Sequence, residues 1–259
     1  MTLTESFART LRLRRLFHGR QRLLVVALDH PVTDGPIAAG ENFDELLGQI
    51  CRNGADAVVL HKGRLRHVRP HWFDNTALVL HLSASTRHSI DPDDKYLMTD
   101  VAQALRLGAD AVSVQINLGS RQEARQIADL AKVADACARW QVPLLAMVYA
   151  RGPKIINPHD SELVAHGVTL AAELGADMVK TVLPDPGHTF AEICRASPIP
   201  VLVAGGPPLE EVEFLARMGE SLTGGAAGVV VGRNVFQAAD PGATTAKLAG
   251  LVHGRFERL

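Results

Sequence analysis

The fold turns on how one segment is read: Leu174-Gly175-Ala176-Asp177-Met178-Val179-Lys180-Thr181-Val182. Its first half is one copy of a phrase that recurs along the chain. The other copies are Gly54-Ala55-Asp56-Ala57-Val58, Gly108-Ala109-Asp110-Ala111-Val112 and Gly225-Ala226-Ala227-Gly228-Val229. Each follows a stretch with helical periodicity and opens an apolar run. Glycine takes the left-handed position that ends a helix, and the next residues turn tightly into a strand. The repeat is therefore a helix-to-strand junction.

Outward from these junctions, short apolar runs punctuate the whole chain. They are Leu23–Leu28, Ala57–Leu60, Ala77–Leu82, Ala111–Ile116, Pro143–Val148, Asp177–Val182, Ile199–Ala204 and Gly228–Val231. Between them, Asp44–Arg52, Thr99–Leu107, Ser120–Trp140, Ser161–Leu174 and Leu209–Met218 carry helical spacing. The strands are apolar without alternation, so both faces are covered, as in a parallel sheet. Eight such strands alternating with helices predict an α/β fold, a (β/α)8 TIM barrel, with a doubly wound open sheet as the alternative. The four junctions precede candidate strands two, four, six and eight. No Pro/Gly/Ser linker divides the chain, so residues 1–259 are read as one domain, a length α/β barrels commonly reach.

Composition narrows the function classes. Hydrophobic residues make up 47%, charged 21%, and 27 Lys plus Arg against 28 Asp plus Glu leave a formal charge of −1. That excludes disorder and gives no reason to expect nucleic acid as a partner. No run approaches the ~18 apolar residues of a membrane span. Cys51, Cys137 and Cys194 have no metal or redox spacing, which fits the cytoplasm. Residues 1–22 carry six arginines with Leu3, Phe7, Leu11 and Leu16 at helical intervals. They read as a basic amphipathic helix closing one end of the fold.

A barrel places its chemistry at the carboxyl ends of its strands. Lys180 ends strand six among Met178, Val179, Val182 and Leu183. A desolvated amine there is a nucleophile, and the alternative is a lysine that extends its charge to solvent. Tyr149 ends strand five and can pass a proton or simply pack as an aromatic lid. Asp29 ends strand one, where a carboxylate calls for a cationic partner or a ligand, unless it serves the turn before Pro31. Ala204-Gly205-Gly206-Pro207 and Val231-Gly232-Arg233-Asn234 end strands seven and eight, where bare backbone and an arginine suit phosphate. His30, His61 and His81 fall near the ends of strands one to three but lack His-x-His or His-Glu-x-x-His spacing, so no metal site is assigned.

Taken together these phrases resemble the DhnA-type class I aldolases, most closely the 2-amino-3,7-dideoxy-D-threo-hept-6-ulosonate synthase branch. The resemblance runs from Ala27-Leu28-Asp29-His30 to Gly232-Arg233-Asn234-Val235-Phe236-Gln237, and includes His81-Leu82-Ser83-Ala84-Ser85-Thr86. It implies a Schiff-base lysine at Lys180, a catalytic tyrosine at Tyr149 and a catalytic aspartate at Asp29. It also implies substrate or phosphate contacts from Gly205, Gly206, Gly232, Arg233, Arg151 and His30, no cofactor, and a decamer-like homo-oligomer. The implied reaction joins or cleaves a phosphorylated ketone or ketose and an aldehyde, L-aspartate semialdehyde, in aromatic or aminohydroxybenzoate-type biosynthesis. The alternatives are a fructose-bisphosphate aldolase, thiolase-like acyl transfer to coenzyme A, a metal-dependent lyase and a phosphosugar-binding protein without turnover. The chain departs from the family's usual phrases at Pro31, at Ala150 and at Leu183-Pro184-Asp185, the last in the expected substrate-facing loop.

Overall fold

The computed structural model describes residues 6–37 and 42–254. Eight parallel strands close a barrel: β1 (Leu23–Ala27), β2 (Ala57–Leu60), β3 (Ala77–His81), β6 (Ala111–Leu118), β7 (Leu144–Ala150), β8 (Met178–Thr181), β9 (Val201–Ala204) and β10 (Gly228–Val231). They follow one another around the barrel in chain order, and β10 pairs with β1 to complete it. Two short strands, β4 (Ser83–Ala84) and β5 (Tyr96–Leu97), pair antiparallel above the carboxyl end of β3.

Helices α3 (Phe43–Arg52), α4 (Val101–Arg106), α5 (Glu123–Trp140), α6 (Ser161–Glu173), α7 (Phe190–Ala196), α8 (Glu211–Thr223) and α10 (Pro241–Val252) surround the barrel, while α2 (Pro31–Asp34) and α9 (Arg233–Phe236) are single turns at its carboxyl end. Strand residues divide by parity, because successive side chains point to opposite faces. Leu23, Val25, Ala27, Ala57, Val59, Leu145, Met147, Met178, Leu202 and Val230 fill the barrel interior. Their neighbours Leu24, Val26, Val58, Leu144, Ala146, Val179, Val203 and Val229 face the helices.

The four glycine junctions share one backbone form, with φ of 96° at Gly54, 85° at Gly108, 88° at Gly175 and 102° at Gly225. Asp56, Asp110 and Asp177 each bracket a residue of the preceding barrel strand. Their amides donate to the carbonyls of Leu24, Leu78 and Leu144, and their carboxylates accept those residues' own N–H at 2.7, 2.9 and 2.7 Å. Ala227 keeps only the backbone half, donating to the Val201 carbonyl. The fourth phrase differs because Gly228 lies on the closing seam, where a Cβ would stand 2.1 Å from the Leu23 carbonyl oxygen.

The amino-terminal helix is shorter than the reading over 1–22. α1 spans Phe7–Leu16 and ends where His18 and Gly19 take left-handed conformations; residues 1–5 of that reading lie outside the described residues. Leu13, Leu16 and Phe17 pack onto the interior cluster. Arg9 ion-pairs with Asp177 at 2.6 Å and Arg20 with Asp56 at 2.9 Å, so the basic residues bind the junction carboxylates. Among the described residues no helix is long and apolar enough to cross a membrane.

Candidate active site

Parity delivers the site. Continuing the inward series past the strand ends puts Asp29 above Ala27, Tyr149 and Arg151 above Met147, Lys180 above Met178, and Gly232 above Val230. These residues, with His30, Gly205, Gly206 and Arg233, line one cavity of about 250 Å³ at the carboxyl end of the barrel. Each residue read from the sequence as catalytic or phosphate-binding, with Arg151 and His30, reaches it.

Lys180 pairs in register with Met147, two residues below Tyr149, and is 7% exposed. Its Nζ lies 5.9 Å from the Tyr149 ring centre, and the Arg151 guanidinium stacks 4.5 Å from the same ring. Among the described residues the Lys180 amine makes no hydrogen bond and no ion pair within 4.0 Å. Its Nζ lines the cavity uncommitted to any other protein group described.

Asp29 is held differently. Its Oδ1 is buried without a hydrogen bond and lies 3.6 Å from His30 Nδ1, which also lacks one; Oδ2 lies 3.8 Å from His81 Nε2. Burial works to raise the Asp29 carboxyl, but His81, His30, Lys180 and His61 outweigh it and hold the group well below the usual carboxylate range. Burial pushes His81 down to about 3, against the opposing pull of Asp29, so its ring is neutral at neutral pH. His81 is steadied by Ser113, Nδ1 to Oγ at 2.8 Å.

The glycine turns form the opposite wall. A Cβ at Gly232 would meet His30 Cε1 at 2.5 Å, so only glycine permits that approach. Arg233 donates to the Gly206 carbonyl at 3.3 Å. Asn234 ties the two turns together, donating to the carbonyls of Gly205 and Pro207 and accepting the Leu209 N–H. Bare backbone beside a guanidinium is chemistry that suits a phosphate.

Two placements differ from the sequence reading, the Leu183–Asp185 loop and Lys95 with its neighbours. Leu183, Pro184 and Asp185 do not line this cavity but an adjoining one with Asn157 and His159, because Leu183 and Asp185 bond His159. His61 and His81 lie close, with ring centres 5.3 Å apart. Among the described residues, however, no three His, Cys, Asp or Glu side chains are grouped to hold a metal ion. Lys95, Thr33, Asp34 and Gln115 line the cavity and were not singled out as site residues. Lys95 had a signal: residues 82–100 form a loop far longer than ordinary strand-to-helix connections, and such loops commonly carry function.

The chain as a whole is similar to known proteins. The chain is 56% identical over 98% of its length, and 93% of the relative's, to the 2-amino-4,5-dihydroxy-6-oxo-7-(phosphonooxy)heptanoate synthase of Streptomyces griseus. It is 41% identical to the 2-amino-3,7-dideoxy-D-threo-hept-6-ulosonate synthase of Halobacterium salinarum, covering 95% of this chain and 91% of that one. A solved archaeal fructose-1,6-bisphosphate aldolase, with its catalytic Lys covalently bound to the carbinolamine intermediate of the substrate, superposes with a TM-score of 0.83. It is 30% identical, over 95% of this chain and 100% of that one. The family model for DeoC/LacD aldolases matches residues 23–238. The chain therefore belongs to the DeoC/LacD aldolase family, and it is a class I aldolase of the DhnA type.

Proposed function

We propose that this enzyme condenses dihydroxyacetone phosphate with L-aspartate semialdehyde. The observation that carries the reading is the placing of an uncommitted, buried Lys180 between two unlike walls. Tyr149 and Arg151 on β7 stand on one side, and the Gly205-Gly206 and Gly232-Arg233 turns after β9 and β10 on the other. The name of the 56% identical relative supplies the chemistry. A seven-carbon chain with a 2-amino group, a 6-oxo group and a terminal phosphate disconnects by retro-aldol reaction between C4 and C5. The halves are a four-carbon amino aldehyde acid and dihydroxyacetone phosphate.

In this reading the glycine turns and Arg233 anchor the donor phosphate, which orients its carbonyl toward Lys180. The Lys180 amine attacks that carbonyl carbon to give a carbinolamine, and loss of water leaves an iminium. Asp29 accepts and returns the protons of the addition and dehydration. The iminium draws electrons from the adjacent hydroxymethyl carbon, whose proton passes to water in the cavity, and the resulting enamine forms the new bond to the aldehyde carbon. Tyr149 protonates the oxygen of that aldehyde as the bond forms. Water then releases the product and regenerates the amine. The seven-carbon amino keto phosphate is suited to ring closure toward an aminohydroxybenzoate-type product.

Sodium borohydride added with dihydroxyacetone phosphate should leave a stable adduct on the Lys180 peptide, read by mass spectrometry. Lys180→Ala should lose both adduct and turnover, and full activity in that variant would sink the mechanism. Preference for glyceraldehyde 3-phosphate over L-aspartate semialdehyde would replace the acceptor and leave the lysine chemistry standing.

A further inference from the structure

Lys95 is a second buried lysine in the same cavity, and the mechanism above gives it no task. It is 6% exposed and sits just before β5, on the hairpin that overhangs the carboxyl ends of β3 and β6. Its Nζ donates to Ser85 Oγ at 2.6 Å. That hydroxyl in turn donates to the Pro92 carbonyl at 2.6 Å, so it acts toward Lys95 as an acceptor. An ammonium has three donors, and Ser85 takes one. No carboxylate of the described residues approaches Nζ within 4.0 Å. Asp93, Asp29 and Asp34 act on the amine only from beyond that distance, so its burial is costly unless a ligand supplies a close counter-charge.

The mounting is rigid and is built from elsewhere in the chain. Arg125 on α5 donates to the Lys95 carbonyl at 2.7 Å and ion-pairs with Asp94. Asn117 on β6 and Gln126 on α5 both donate to the Asp93 carbonyl, at 2.8 and 3.0 Å. Burial first, then the charge of Arg151, pulls the lysine below its ordinary range, so two cations share this side of the cavity. The side matters. Barrel order puts β7 and β9 on either flank of β8, so Lys95, Tyr149 and Arg151 stand across Lys180 from the Gly205-Gly206 and Gly232-Arg233 turns.

We infer that Lys95 is the specificity residue that binds the carboxylate of the aldehyde acceptor, on the wall opposite the donor phosphate. This rests on the reading of the reaction given above. The donor occupies the glycine wall and Lys180. The acceptor then enters on the Tyr149 side, with its aldehyde oxygen toward the phenol and its carboxylate on the two free N–H bonds of Lys95. A neutral aldehyde gains nothing from Lys95, so this residue sets acceptor choice and leaves formation of the Schiff base untouched.

The test uses the full chain with Lys95→Met, Lys95→Gln and Lys95→Arg. Borohydride trapping of dihydroxyacetone phosphate, and exchange of its α-hydrogen with deuterated water, report the donor half of the reaction alone. Both should match the wild type in all three variants. The KM for L-aspartate semialdehyde should rise about ten- to hundredfold in the Met and Gln variants, the loss of one charge-assisted contact, and recover in part in the Arg variant. Kinetics with butanal, which has four carbons and no carboxylate, should not change. An unchanged KM for L-aspartate semialdehyde, or equal losses with both aldehydes, overturns the assignment. Should the variants not fold, competition on the wild type decides: L-2-aminobutyrate should compete with L-aspartate semialdehyde and propylamine should not. Equal competition by the two overturns it as well. A wild type that fails to trap the donor at all would instead refute the reaction on which the inference rests.

Discussion

The two ends of this barrel use the same side chain for opposite purposes. At the amino end, Asp56 is buried, Asp110 and Asp177 are partly so, and all three are engaged. Each accepts a backbone N–H of the preceding strand, and Asp56 and Asp177 also meet arginines. At the carboxyl end, Asp29 has an oxygen with no hydrogen bond, beside an equally unpartnered His30 nitrogen. A carboxylate surrounded by amides and guanidinium groups stabilises the fold. One left without hydrogen-bond donors beside a cavity is free to act on a substrate. The difference teaches where to expect activity to change and where to expect folding to change.

The sharpest challenge to the contrast is Asp29→Asn. It should cut kcat/KM by about 10²- to 10⁴-fold, read from steady-state kinetics. A fall in midpoint with activity kept would reverse the roles assigned to the two ends. At the other end, Asp177→Ala should lower unfolding stability by about 2–3 kcal/mol with kcat unchanged, measured by urea denaturation. Asp110→Ala should cost less, since no arginine is paired with Asp110 among the described residues.

A pH dependence connects the two measurements. His81 has a folded pKa near 3, below the ordinary 6.5 it regains on unfolding. The unfolded chain therefore binds more protons between those values, and stability present above pH 6.5 is lost as pH falls toward 3. Urea midpoints should drop from pH 7 to pH 4.5, and His81→Gln should make that slope shallower. The slope should not vanish, because burial pulls His30 and His61 down as well. Asp29 contributes only below the ordinary carboxylate range. The smallest effect is Arg9→Met. The side chain is one quarter exposed, so loss of its pair with Asp177 should cost about 1 kcal/mol or less and leave turnover alone.

Much of the fold is readable in the chain because local chemistry enforces it. The junction glycines take their left-handed conformation wherever the phrase occurs, and continuous Val, Leu and Ala runs belong only where both strand faces are covered. The barrel strands lie within a few residues of the apolar runs for that reason. The hairpin of Ser83–Ala84 and Tyr96–Leu97 was not legible, since two-residue strands carry no periodicity. Nor was α10, whose Pro241–Val252 sequence holds two glycines and two threonines and has no strong apolar stripe.

The candidate site divides along the same line. Lys180, Tyr149, Asp29, Arg151 and the glycine turns were legible because each ends a recognisable strand, and strand ends converge in a barrel. Lys95 was not, because it belongs to a polar loop whose position depends on Arg125, Asn117 and Gln126, contributed by elements at least 22 residues further along the chain. The Leu183–Asp185 loop shows the converse. Adjacent in sequence to Lys180, it turns to His159 and away from the cavity.

Residue order alone thus decides the alternation of strand and helix, the four junctions and the strand end at which Lys180 stands, because these follow from backbone preference, apolar periodicity and neighbours in the chain. Tertiary structure decides which carboxylates are engaged and which one is orphaned, and which wall of the cavity holds the second cation. Those properties depend on burial and on donors that arrive from distant segments, and no local pattern encodes the distance between them.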